Sequence, residues 1–286
     1  MTFAVVVTAV AAGAFIGLSL GALGGGGSIM AVPVLVYLLD QSPAQATTGS
    51  LVVVGATSLI AAVAAHRAGN VLLGRGLVFG LVAIGGAAAG AKASAHVSED
   101  VLLAAFAALM LLVGGLMAWR QVHHHRSHRT HPDAGKAGHR HAARPTLDDP
   151  IITFSPTFAC QCPRALKVLV TATAVGLLTG FLGVGGGFLV VPALLLALAL
   201  PMEYAAGTSL VVITITSISA LAVRAGTGAS PDWGPVLVLT AASAVAAVAG
   251  AHLADRVDTN RLQGGFTVLI LAVAVYTTTR AVPALI

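Results

Sequence analysis

The sequence contains very little charge. Charged residues make up 9% of its 286 positions, and hydrophobic residues make up 57%. A soluble domain carries about 25% charged residues, so this chain has too little polar surface to cover so much apolar material. A soluble globular fold is therefore excluded. At about 20 apolar residues per crossing, the chain has room for roughly eight membrane-spanning helices.

Acidic residues are absent from the middle of every apolar stretch, and the chain has only two cysteines. Asp40, Glu203 and Asp232, like the other acidic residues outside the polar insert, lie near the ends of such stretches. A pump with a buried carboxylate relay, or a metal-cation transporter, usually carries an acid in mid-membrane. Cys160 and Cys162 form a C-x-C pair, which is not a disulfide framework. No cofactor and no bound metal are expected.

Eight apolar stretches make up most of the chain. They run at about 3–39, 44–65, 76–91, 101–119, 165–200, 204–223, 234–254 and 262–279. A polar insert with seven histidines separates the first four from the last four, and six of the 15 basic residues lie between its Arg120 and Arg144. The net charge of +5 therefore does not indicate nucleic-acid binding. We divide the chain into a first membrane repeat, a His-rich cytoplasmic linker and a second membrane repeat, at 1–119, 120–164 and 165–286.

The two apolar halves repeat each other at an offset of 159 residues. GALGGGGSIMAVPVL at Gly21–Leu35 aligns with GFLGVGGGFLVVPAL at Gly180–Leu194, and the glycines and the proline are in register. Chance matches of Gly and Pro in register are much rarer than matches of Ala, Leu and Val. The pattern indicates an internal duplication, which is common among transporters.

The first apolar stretch of each half is too long for one straight crossing. A helix of 37 residues would extend about 55 Å across a hydrocarbon core of about 30 Å. The glycine run divides it into a full-length helix and a short one of about a dozen residues. We predict an all-α polytopic membrane protein with two homologous halves of about four spans each, whose first segment is broken or re-entrant.

The orientation of the two halves depends on how often the broken segment crosses. One crossing gives four spans per half and parallel halves, whereas two crossings give five and inverted halves. Apart from Lys167 beside the linker, the basic residues outside the linker divide four inside and three outside under both alternatives, so the positive-inside rule does not decide. We favour four plus four spans.

Each half has a glycine run suited to an anion: Gly24–Ser28 and Gly183–Gly187. Glycines that open a helix allow close approach to the chain. The helix N-terminus adds free N–H groups and partial positive charge. The alternative is that these glycines only allow helices to pack closely. A nucleotide-binding P-loop is excluded, since no Lys-Ser/Thr pair follows either run.

Hydroxyl groups follow both glycine runs. Thr48 and Ser50 lie in the first half, and Thr208 and Ser209 lie in the second. Such side chains often bond only to their own helix carbonyls. Because the cluster recurs, Ser50 and Ser209 could donate hydrogen bonds to an oxyanion that loses its water shell.

The histidines of the insert are a separate motif. They are His123, His124, His125, His128, His131, His139 and His141. A histidine-rich tract can bind Zn, Ni or Cu, but this spacing defines no fixed site. We interpret the tract as a solvated, weakly basic linker, with metal sensing or buffering as the alternative.

The paired G-x-L-G-x-G-G-[SG]-x(4)-P motif, followed each time by a hydroxyl motif, resembles the TauE/SafE sulfite exporter family, or TSUP permeases. The resemblance covers most of the chain outside 120–164. It implies a duplicated carrier for sulfite, sulfonates or related organosulfur anions. The resemblance implies a substrate region formed by Gly24, Gly26, Gly27, Ser28, Ser50, Gly183, Gly185, Gly186, Gly187, Thr208 and Ser209. We add Thr48 to this region from the hydroxyl cluster. The first repeat departs from the second, because Thr48-Gly49-Ser50 stands where the second has Gly207-Thr208-Ser209.

The expected function is therefore secondary transport, not enzyme catalysis, of a small sulfur-containing anion across the bacterial inner membrane. An inside-negative potential of 100 mV assists the exit of a monoanion by about 2.3 kcal/mol, which favours export. The alternatives are a divalent metal permease that uses the His-rich loop and a membrane scaffold that transports nothing. Besides the anion and the lipid bilayer, protons and a second copy of the chain stay open as partners.

Overall fold

The structure, a computed structural model, describes residues 3–98, 101–112 without 103, 115, 162–183, 187–198, 200–225, 230–254 and 268, 271, 272 and 275. These residues form helices and connecting turns without any strand, which confirms the all-α prediction. We number the helices as follows: α1 Phe3–Leu23, α2 Gly25–Leu38, α3 Pro43–Arg67, α4 Leu73–Ser94, α5 104–112, α6 Cys162–Leu182, α7 Gly187–Ala197, α8 Met202–Arg224 and α9 Trp233–Ala254.

The first segment is broken at Gly24, as the glycine run predicts. Helix α1 has 21 residues, which is about 31 Å and enough for one crossing. Helix α2 starts as a 3₁₀ helix over Gly25–Met30 and ends as a π-helix over Val34–Leu38. Its Gly27 packs against Ile16 and Leu20 of α1. The chain therefore reverses direction at the break, and α2 is re-entrant.

The helix bounds follow the repeat seen in the sequence. At the offset of 159, both ends of α1 coincide with the ends of α6, and the start of α3 coincides with the start of α8. Helix α6 begins at Cys162, three residues before the predicted start of the second repeat. The rest of the linker lies outside the described residues.

Helices from different halves pack in parallel pairs through glycine. Gly13 of α1 lies against Leu239 of α9, and Gly21 lies against Ala247, so contacts advance along both helices together. Helices α4 and α6 form the equivalent pair, again through glycines on both helices. Small residues let membrane helices approach closely and gain van der Waals contact. The two halves are therefore interleaved and do not lie side by side.

Helices α3 and α8, which correspond in the repeat, run antiparallel. Thr47 near the start of α3 bonds Arg224 at the end of α8. Asn70, just after α3, lies against Gly207 near the start of α8. Corresponding helices that run in opposite directions belong to inverted halves. The parallel orientation favoured from the span count is therefore wrong, because the re-entrant α2 returns the chain before α3 begins.

Five of the described helices are long and apolar enough to cross a membrane. They are Phe3–Leu23, Pro43–Arg67, Leu73–Ser94, Tyr204–Arg224 and Trp233–His252. Large apolar side chains such as Phe3, Leu81 and Val245 are exposed on their outer faces. Such faces suit lipid, where apolar exposure carries no penalty. The chain is a multi-pass membrane protein.

Candidate functional site

The two breaks have glycines with similar positive φ at equivalent positions. Gly24 has φ of 70°, and Gly183 has φ of 67°. This left-handed region is strained for residues with a side chain. Space is also short, since a Cβ on Gly24 would lie 2.7 Å from the Ala206 carbonyl oxygen. Glycine is therefore required at both breaks for two independent reasons.

Each break lies against the hydroxyl cluster of the other half. A Cβ on Gly24 would lie 2.9 Å from the Ser209 Oγ of α8. In the second half, the Gly183 carbonyl accepts a hydrogen bond from the Ser50 hydroxyl of α3. Because the halves are inverted, each break contacts the hydroxyl cluster of the other half. This contact joins the glycine runs and the serines into one region, although they are distant in sequence.

The two glycine runs also touch each other. The backbones of Gly25 and Gly187 are in direct contact, and a Cβ on Gly187 would lie 2.6 Å from the Ser28 Oγ. Gly24, Gly26, Gly27 and Ser28 are all buried. The described part of the two runs is therefore closed in this conformation, and an anion between them requires the runs to separate. Gly185 and Gly186 lie outside the described residues.

The predicted hydroxyls make hydrogen bonds to backbone in this conformation. Ser28, Thr48, Ser50 and Ser209 donate within their own segment, and Thr208 instead accepts from a backbone N–H. The bonds are Ser28 to the Gly25 carbonyl at 2.7 Å, Thr48 to the Ala44 carbonyl at 3.1 Å, Ser209 to the Ala206 carbonyl at 2.7 Å and Leu72 N–H to Thr208 at 3.1 Å. Ser50 lies 2.9 Å from the Thr47 carbonyl and also reaches Gly183. To donate to an anion, each serine must rotate away from a carbonyl.

Arg224 is the residue that the sequence pattern does not reveal. It stands at the end of an apolar stretch, where a basic residue normally faces the aqueous boundary. In the structure it is only 7% exposed. Its guanidinium donates to the hydroxyls of Thr47 at 3.0 Å and Ser94 at 2.7 Å. It also donates to the carbonyls of Gly180 and Phe181 at the end of α6. A fixed positive charge therefore lies beside the second break.

A second group of hydroxyls lies where α3 and α8 meet. Thr57, Ser58 and Ser217 are buried, and their hydroxyl oxygens have no hydrogen-bond partner among the described residues. Buried polar groups normally have a partner in protein or water. These hydroxyls are therefore available to water or to a passing polar solute.

Metal ligands do not cluster in the part of the chain that the structure describes. No group of three or more His, Cys, Asp or Glu side chains comes together there. The seven histidines of the linker lie outside that part, so the alternative of metal binding by the insert is not tested. Among the described elements, the chemistry is that of hydroxyls, backbone dipoles and one buried guanidinium.

A cavity of about 350 Å³ opens between α3, α4 and α8. Its lining is mostly apolar, with Arg67 and Thr214 among the few polar residues, and none of the predicted substrate residues borders it. Several lining residues, among them Leu59 and Leu77, are exposed on the outer surface. The cavity is therefore a lipid-facing groove and not a pocket for a small hydrated anion.

Comparison with known proteins agrees with this architecture. A sequence model of the family described as "Sulfite exporter TauE/SafE" matches residues 9–277. A "Probable membrane transporter protein" of Xylella fastidiosa (strain 9a5c) is 29% identical over 280 residues, covering 96% of both chains. A protein with the same description from Xylella fastidiosa (strain Temecula1 / ATCC 700964) is 30% identical over 214 residues, covering 74% of this chain and 71% of the relative. No solved structure matches the chain significantly.

Proposed function

The chain belongs to the TauE/SafE sulfite exporter family, and on that premise we propose that it exports sulfite, organosulfonates or similar small sulfur anions. It is a membrane transporter and not an enzyme. The proposal concerns the substrate and the way it is held. The anion binds between the two glycine breaks, where backbone N–H groups and serine hydroxyls replace its water shell.

The observation that carries this proposal is the meeting of both breaks with both serines. Gly25 contacts Gly187, Gly24 faces Ser209, and Ser50 bonds to Gly183. Irregular backbone at membrane depth is tolerated only inside protein or along a wet cavity. Substrate sites of inverted-repeat transporters lie at such interfaces between broken helices. The closed contact is then one state of a transport cycle, and separation of the breaks admits the anion.

Burial of Arg224 also supports an orientation in the bacterial inner membrane. The inverted reading of the sequence assigns five basic residues outside the linker to the side of the linker: Arg67, Arg75, Lys167, Arg256 and Arg261. Without Arg224, which is buried rather than in a loop, only Lys92 and Arg280 remain opposite. The linker side is then cytoplasmic. The membrane potential assists an anion that leaves from that side.

Flux measurements in proteoliposomes test this function. We expect purified protein to move ³⁵S-labelled sulfite faster than protein-free vesicles, with competition by methanesulfonate or thiosulfate. A variant that lacks residues 123–141, and with them the histidines, should retain this flux. Flux of Zn²⁺ or Ni²⁺ that the deletion abolishes, without sulfite flux, would indicate a metal permease. Absence of flux for every sulfur anion and for both metal ions would leave only a scaffold role.

A further inference from the structure

We infer that Arg224 is the charged substrate-binding residue of this transporter. It makes anion binding stronger at the Gly183 break than at the Gly24 break. The inference rests on the proposed anion transport and adds a residue that neither the glycine motif nor the hydroxyl motif contains. In it, the guanidinium holds the anion at the Gly183 end. Among the described residues, the Gly24 end offers only backbone and hydroxyl groups.

The position of Arg224 places its charge at the second break. Its partners Gly180 and Phe181 end the helix that leads into Gly183. Its third partner, Thr47, packs directly on Gly183, since a Cβ on that glycine would lie 2.5 Å from the Thr47 Cβ. Arg224 and the break therefore share neighbours. An oxyanion in the separated break would come within reach of the guanidinium.

The hydrogen bonds around Arg224 allow an anion to replace two of its partners. The Thr47 hydroxyl donates to the Ala44 carbonyl at 2.9 Å, and the Ser94 hydroxyl donates to the Ala91 carbonyl at 2.8 Å. Both oxygens thus act as neutral acceptors for the guanidinium. An oxyanion forms shorter and stronger bonds with a guanidinium, often two in parallel. Both hydroxyls keep their carbonyl bonds when the anion takes their place.

The repeat shows that the buried charge belongs to one end only. At the fixed offset of 159 the position opposite Arg224 is Ala65, but the triplet Arg67-Ala68-Gly69 matches Arg224-Ala225-Gly226 after a shift of two residues. Arg67 is, like Arg224, the last residue of its helix, but its side chain is exposed whereas that of Arg224 is buried. A buried ionisable residue in a membrane protein marks a functional site more often than a structural one. An anion moving between the ends therefore meets a strong and a weak position.

Variants at the two helix ends test the assignment. Arg224→Gln removes the buried charge, and Arg67→Gln removes an exposed charge from the last residue of the equivalent helix. Sulfite affinity is measured by isothermal titration of purified protein, with flux in proteoliposomes beside it. We expect Arg224→Gln to raise the Kd for sulfite at least tenfold and Arg224→Lys to raise it less. Arg67→Gln should keep the wild-type Kd. Arg224→Gln with wild-type affinity would overturn the assignment.

A second variant separates charge from packing and decides the question if Arg224→Gln does not fold. Thr47→Val with Ser94→Ala removes both hydroxyl partners and leaves the guanidinium in place. If Arg224 binds substrate, this variant keeps or improves sulfite affinity while its melting temperature falls. A parallel loss of affinity and stability would mean that the arginine only joins helices. Absence of sulfite flux in the wild type would instead contradict the proposed function itself, independently of Arg224.

Discussion

At the level of single residues, glycine has two different roles in this protein. Gly24 and Gly183 have positive φ and form the breaks. Gly13, Gly17 and Gly21 lie inside α1 and let α9 approach. The sequence alone leaves an anion site and close packing as alternatives for the glycine runs. The structure shows close packing at the mid-helix glycines and shows that the breaks additionally need positive φ. The anion site at the breaks is our proposal.

Alanine substitutions distinguish backbone strain from lack of space. Gly69 has φ of 80° with nothing near its Cβ position, so Gly69→Ala should cost only the strain, roughly 1–2 kcal/mol. Gly24→Ala and Gly183→Ala also place a side chain at positive φ, and in addition they push it into the opposite half. Overpacking adds about 1–3 kcal/mol. Thermal unfolding in detergent should show a clearly larger loss for these two. An equal loss in all three variants would mean that the breaks are not tightly packed.

The site residues differ in how far the sequence reveals them. The breaks can be predicted from the sequence, because a backbone that has positive φ and close neighbours requires glycine. These glycines also recur in register in both halves. Arg224 is not visible, because an arginine at the end of an apolar stretch has the same sequence signature whether it faces water or the interior. Only the packing of α3, α4 and α6 around it determines which of the two occurs.

At the level of elements, interleaved helix pairs hold the halves together. Helix α1 packs on α9, and α4 packs on α6, each in parallel and each through glycine. Apolar periodicity could not predict these pairs, since a helix in a membrane is apolar on its lipid side as well. The helix ends could be predicted more closely, because glycine, proline and polar residues mark them.

The α1–α9 interface predicts a specific sensitivity to side-chain size. Gly17 lies against the backbone of Ser243, whereas Gly85 of α4 has nothing near its Cβ position. Gly17→Ala should separate the helices and destabilise the protein by about 1–3 kcal/mol. Gly85→Ala should leave it unchanged or more stable by roughly 0.5–1 kcal/mol, because alanine suits a helix better. Thermal unfolding of both variants measures the difference. Equal effects would mean that α1 does not approach α9 as closely as described.

At the level of the whole molecule, the inverted halves explain how one site arises from two distant motifs. Inversion brings each break to the hydroxyl cluster of the other half. The sequence did not reveal it for two reasons. A re-entrant helix cannot be told from part of a crossing by its composition. In the sequence Arg224 also has the signature of a loop residue, and counted as one it leaves the two orientations equally supported.

Chemical labelling of single cysteines tests the inverted topology. In a background with Cys160 and Cys162 replaced by serine, Ser230→Cys lies in the connection between α8 and α9. Inverted halves place it outside, whereas parallel halves place it in the cytoplasm. A membrane-impermeant maleimide should label it in intact spheroplasts, and should label Ser127→Cys of the linker only after lysis. Protection of Ser230→Cys until lysis would contradict the inverted arrangement.

The central claim, that an anion binds between the paired glycine breaks, is tested most directly by locating a bound anion. Selenite has the pyramidal shape of sulfite, and its selenium scatters anomalously. In crystals of the protein soaked with selenite, we predict anomalous density between Gly24–Ser28 and Gly183–Gly187, within reach of Arg224. Density confined to the His-rich linker or to the lipid-facing groove, with none between the breaks, would contradict the account.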